Sequence, residues 1–168
     1  MLGASDCEQI GSGWLAQPVN AVSSLAFVPA GLWVTSLASE RQGWRRWDAL
    51  GVGAALVANG VGSFAYHGTQ PGWAQVAHDA PIVAIVALLA ANELGRRAQP
   101  VGSEPEARRR RTGRVALATG AAALGAYALG RTGSPACRPE SLFQWHAVWH
   151  GLAAVSLAAA AAARIEQG

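Results

Sequence analysis

The sequence has no lysine. Its 13 basic residues are all arginine, and charged residues make up only 14% of the 168 positions, against 51% hydrophobic. Charge is missing altogether from Asn20–Ala38, Ala49–Tyr66, Ala80–Asn92, Val115–Gly130 and Ala147–Ala163. With their flanks these stretches approach the ~20 residues that cross ~30 Å of hydrocarbon. None has the polar stripe of an amphipathic surface helix. A soluble alanine-rich bundle needs a wet face, and five charge-free segments leave none. No basic residue precedes the first apolar run, so it is expected to stay as an uncleaved span rather than act as a cleaved leader. The expectation is an all-α, polytopic transmembrane helix bundle. It forms one domain, 1–168, with five spans near 18–38, 47–67, 79–96, 113–131 and 143–163.

Arginine placement sets the expected orientation. Arg41, Arg45 and Arg46 follow the first span, Arg96, Arg97, Arg108 to Arg111 and Arg114 follow the third, and Arg164 ends the fifth. The opposite loops hold only Arg131 and Arg138. The positive-inside rule then puts the N-terminus outside and the C-terminus inside. The run "EARRRRTGR" is thereby explained by topology and anionic lipid, and no nucleic-acid partner is called for. Arginine in place of lysine, amid abundant alanine and glycine, suggests a GC-rich bacterial genome and an inner (plasma) membrane. Only two cysteines are present, Cys7 and Cys137, and both fall outside. They are either two free thiols or one bridge, and exposed thiols on an oxidising face favour the bridge.

The polar residues that remain are concentrated at one level. In "SFAYHGTQPGWAQVAHDAPI", Ser63 and His67 stand one turn apart at the outer end of the second span. Asp79 opens the third span, with His78 beside it on another helical face, as a loop or supporting residue. "QWHAVWHGL" opens the fifth span with His146 and His150 at i, i+4, on one side of the helix. Three imidazoles at one depth, from two helices, suit zinc, which takes nitrogen ligands and keeps a position open when catalytic. An ionised Asp at the same level is costly in a membrane and usually has a functional partner. Two axial haem ligands from opposing sides would need a different arrangement, because His146 and His150 point the same way.

These motifs resemble the alkaline ceramidase-like membrane hydrolases, in the superfamily that includes the adiponectin receptors. "SDCEQI" and "QPVNAVSSLAF" are similar to the family's N-terminal pattern, "GSFAYHGT" to its second-helix motif and "CRPESLFQWHAVWH" to its last. The resemblance covers roughly residues 6 to 95 and 136 to 151. It implies zinc on His67, His146 and His150, with Asp79 as general base and Ser63 as hydrogen-bond donor to the oxyanion. It implies a lipid amidase acting on ceramide or another N-acyl lipid, and a bridge between Cys7 and Cys137. It also implies a calcium site over Asp6, Glu8, Gln17 and Asn20, but Gln17 puts a neutral amide where a carboxylate is expected, which disfavours the cation.

The family has seven spans and this chain five, which leaves less wall around a long-chain lipid. An ester-cleaving hydrolase, or a zinc-containing receptor or scaffold without turnover, are the alternatives. Ser63 and Asp79 beside the histidines favour chemistry, since a structural zinc needs neither. Topology gives the first prediction. In a chain freed of its own cysteines, a cysteine at Gly72 should react with an impermeant thiol reagent in intact cells, and one at Gln42 or Ser103 should not. Labelling at Ser103 from outside would contradict the orientation.

Overall fold

The computed structural model describes residues 1–96 and 106–165. The side chains of Arg96, Arg97, Arg108 and Arg109 lie outside the described part. Six α-helices follow one another: α1 (Pro18–Ser24), α2 (Phe27–Ser36), α3 (Gly43–His67), α4 (Ala74–Arg96), α5 (Glu106–Leu129) and α6 (Trp145–Ile165). Leu37–Glu40 prolongs α2 as a turn of 3₁₀-helix, so α1, α2 and this turn form one rod. The break inside it has a local cause. Pro29 has no N–H for the carbonyl of Leu25, which accepts from Val28 instead at 3.0 Å. Pro18, by contrast, sits at the start of α1, where a missing N–H costs nothing.

The result is all-α with five rods. Four are long and apolar enough to cross a membrane: Pro18–Glu40, Gly43–His67, Ala74–Ala91 and Trp145–Ile165. The fifth expected span falls on α5, which does not reach that mark. Arg110, Arg111 and Arg114 occupy its early turns, and the charge-free remainder from Val115 is only about 22 Å long at 1.5 Å per residue. Leu32, Trp33, Val61, Val83, Val86, Leu117 and Leu124 point away from the protein. Such an apolar exterior is what lipid contact requires.

The first rod and α3, α3 and α4, and α5 and α6 run antiparallel in pairs, and glycines set how closely they approach. Gly53 packs against Thr35 and Gly31, and Gly60 against Val28, where α2 and α3 meet. Gly120 faces Ser156, whose hydroxyl donates to the Ala116 carbonyl at 2.8 Å. Small residues are the general means of close helix packing in lipid, where apolar burial gives little drive. Phe27, Val52, Leu56, Ile85, Ala158 and Ile165 form the centre of the core. Helix α4 leans on α3 and α5 on α6, leaving α3, α6 and the first rod in mutual contact in the middle.

One end of the bundle is tied covalently. Cys7 and Cys137 are bridged, with Cα atoms 5.5 Å apart. Backbone bonds reinforce the tie: Cys7 N–H donates to Gly130 at 2.8 Å and Gln9 N–H to Pro139 at 2.9 Å. The bridge therefore clamps the N-terminal segment over the α5–α6 connection, as the outward placement of both cysteines led one to expect.

Pro81 within α4 leaves the Ala77 carbonyl without its helical donor, and Gly62 of α3 rests directly on that carbonyl, where a Cβ would overlap it. Gly62→Ala should therefore lower stability by about 1–3 kcal/mol through overpacking. Gly125→Ala, where a Cβ meets nothing within 4 Å, should raise it by about 0.5–1 kcal/mol. Melting temperatures of the two variants check this, and equal shifts would contradict the packing.

Candidate metal centre

The clamped end holds the histidines. His67 ends α3, His146 and His150 open α6, and all three are buried. Their ring centroids stand 5.1 Å (His67–His146), 5.4 Å (His67–His150) and 4.7 Å (His146–His150) apart. One ligand atom from each lies within 4.8 Å of the others, close enough for one ion. The backbone of His146 reaches this position because Gly130 has no Cβ; one would stand 2.6 Å from the His146 nitrogen.

Two of the three rings, His67 and His150, are oriented from behind by hydrogen bonds. His67 Nδ1 lies 2.8 Å from Gln17 Oε1. That oxygen can only accept, so Nδ1 carries the proton and Nε2 keeps a lone pair. The amide cannot be reversed, because Gln17 Nε2 donates to the carbonyls of Gly3 (3.1 Å) and Glu8 (2.7 Å). His150 Nδ1 lies 2.9 Å from Ser23 Oγ. The Ser23 hydroxyl gives its one hydrogen to the Asn20 carbonyl at 3.1 Å, so it accepts from His150. His146 Nδ1 faces Asp6 Oδ1 at 3.4 Å, and Asp6 is held by Arg131 at 2.7 Å. Burial pushes the Asp6 carboxyl above its ordinary range, while Arg131 and then His78 pull it back. All three Nε2 atoms are buried without a hydrogen-bond partner.

That combination has a chemical meaning. His67 and His150, with their Nδ1 protons engaged, present Nε2 lone pairs to one small space, and His146 Nε2 lies there with them where nothing donates to it. Histidine ligands are normally fixed through the other ring nitrogen in this way. A metal cation that takes nitrogen ligands fits the donor set.

The other expected site residues are distributed less evenly. Ser63 is buried one turn before His67 on α3. Asp79 is not drawn in with the histidines. Its side chain is 53% exposed and bonds His78 Nδ1 at 2.7 Å and Gln75 Nε2 at 2.8 Å. His78 occupies the inner place: its side chain is 16% exposed, stacks on Tyr66 at 4.4 Å and lies 6.1 Å from the His67 ring.

Three of the four expected calcium ligands have other partners. Asp6 serves Arg131 and His146, and Gln17 serves His67. The Glu8 carboxylate accepts the Val19 and Asn20 N–H groups at 2.7 Å each, which caps α1. Burial pushes the Glu8 carboxyl above its ordinary range, and those two bonds oppose the shift. Backbone donors occupy the oxygens that a hard cation would need.

The orienting roles of Gln17, Ser23 and Asp6 were not visible in the sequence. No protein-family profile, curated protein or solved structure matches the chain. What is established is a helical protein with four candidate membrane spans and a buried cluster of three histidines.

Gln17→Leu should leave the fold in place and weaken zinc binding about 10–100-fold, the usual cost of removing an orienting partner. Competition against a chelator measures it. Unchanged affinity would mean that the Gln17 bond does not fix the His67 ring.

Proposed function

We propose that the chain is a membrane-embedded hydrolase that holds zinc on His67, His146 and His150 and cleaves the acyl amide of a membrane lipid, ceramide or another N-acyl lipid. The observation that carries this reading is the set of three buried Nε2 atoms without a hydrogen-bond partner, on rings of which two, His67 and His150, are held through Nδ1. The N-terminal and α6 motifs support the resemblance to ceramidase-like hydrolases. When bound, zinc polarises a carbonyl and makes water a stronger acid.

The chain's own residues supply the rest. Asp79 holds the proton on His78 Nδ1, so the other ring nitrogen of His78 is free to accept a proton on the side of the cluster. Asp79 acts in this scheme as a general base through His78, and Gln75 steadies the carboxylate. Ser63, one turn from His67, donates to the oxygen on which charge develops. Trp149, 5.0 Å from His146 and 5.4 Å from Tyr127, walls the site on the α5 side and keeps water out. Helix α5 is taken to cross the membrane with its neighbour, since it runs along α6 and long arginine side chains reach back to the interface. The arginine bias then places the site at the outer, periplasmic face of a bacterial inner membrane.

The exposure of Asp79 favours one competing reading, a zinc-containing receptor-like or scaffold protein that does not turn over lipid. Five variants separate the two. His67→Ala, His146→Ala and His150→Ala should each lose zinc. Asp79→Asn and His78→Ala should keep it and hydrolyse an N-acyl lipid ~10²–10⁴-fold more slowly. Full zinc in all three histidine variants would remove the site. Zinc loss with no cleavage by the unaltered protein would leave the receptor-like reading.

A further inference from the structure

Asn20 is the buried polar group that the metal centre leaves unexplained. It lies on the first rod with 0% exposure, and neither its Nδ2 nor its Oδ1 has a hydrogen-bond partner. Unpaired buried amides are rare, because folding removes their water and returns nothing. Its neighbours on the rod say where it points. Gln17, three residues before, holds His67, and Ser23, three residues after, holds His150. At about 100° per residue, Asn20 projects about 60° from each of them and bisects the two directions. It therefore stands on the rod between the two residues that hold the His67 and His150 rings.

We infer that the Asn20 carboxamide is the group that reads the substrate's polar part, with Nδ2 donating to the acyl carbonyl oxygen and Oδ1 accepting an N–H or O–H of the same molecule. The inference rests on the hydrolase reading above and adds a specificity-determining residue to it. A carboxamide has both a donor and an acceptor, so a ligand satisfies it only by offering the complement of each. A carbonyl compound without a hydrogen donor leaves Oδ1 unpaired in a dry site, and sites of this kind reject such analogues strongly. A calcium ion would use Oδ1 alone and leave Nδ2 as it was. Asp6, Glu8 and Gln17 already have other partners. Structural support is also a poor explanation, since an amide that bonds nothing supports nothing.

The test uses the zinc-loaded full chain in lipid nanodiscs, with calorimetric binding of N-octanoylethanolamine. The comparison ligand is its donor-free analogue, N-methyl-N-(2-methoxyethyl)octanamide. The unaltered protein should bind the first at least 10-fold more tightly than the second. Asn20→Leu should keep its zinc and its melting temperature, bind the first ligand at least 10-fold more weakly and lose the preference. Asn20→Asp, which keeps the shape and removes the Nδ2 donor, should also bind it more weakly. If either variant binds the first ligand as tightly as the unaltered protein, or if Asn20→Leu loses zinc, the assignment is overturned and the hydrolase reading stands. If the unaltered protein holds zinc but binds neither ligand, the hydrolase reading falls and takes the assignment with it.

Discussion

Imidazole lone pairs that face one another in a dry interior repel unless a cation lies between them. His67, His146 and His150 are in that position, and much of the molecule serves to keep them there. The N-terminal segment contributes Gln17 and α1 contributes Ser23, each bonded to one ring from behind, and Asp6 lies 3.4 Å from the third. That segment is in turn held by the Cys7–Cys137 bridge and by Arg131 from beyond α5. Glycine at 130 lets α5 end directly against the backbone of His146. Residues 6, 17, 23, 67, 131, 146 and 150, dispersed along the chain, are thus parts of one arrangement.

The arrangement also accounts for the buried polarity at the disulfide-tied end of the bundle, while Asp48 and Arg164 are buried at the other end. An unpaired polar group inside a membrane protein is expensive, so it is kept only where it has a partner or a task. The Gln17 side chain bonds three polar groups, the carbonyls of Gly3 and Glu8 and the His67 ring. The Asn20 side chain bonds none. Asp79, by contrast, is left largely to solvent or headgroups and reaches inward only through His78. The polar side chains are therefore arranged in depth, from an exposed carboxylate through a half-buried imidazole to three buried ones.

Much of this was legible in the residues, because the physics there is local. Charge-free stretches and helical spacing indicated the rods, and His146 and His150 at i, i+4 indicated a shared face. Two cysteines on one side indicated the bridge. What the sequence did not show depends on contacts across long separations. Nothing local marks Gln17 as the partner of a histidine 50 positions away, or Ser23 as that of one 127 positions away. The exchange of places between His78 and Asp79 turns on one residue of helical phase at the start of α4. The shortfall of α5 as a span comes from arginines that enter the helix itself, where a loop was expected.

The central claim is that three histidine Nε2 atoms hold one metal ion. X-ray absorption at the zinc edge, on the full chain purified without added chelator, tests it most directly. The account gives one zinc per chain with three imidazole nitrogens in its inner coordination shell. A chain that carries no zinc after reconstitution, or zinc bound without imidazole, would contradict it.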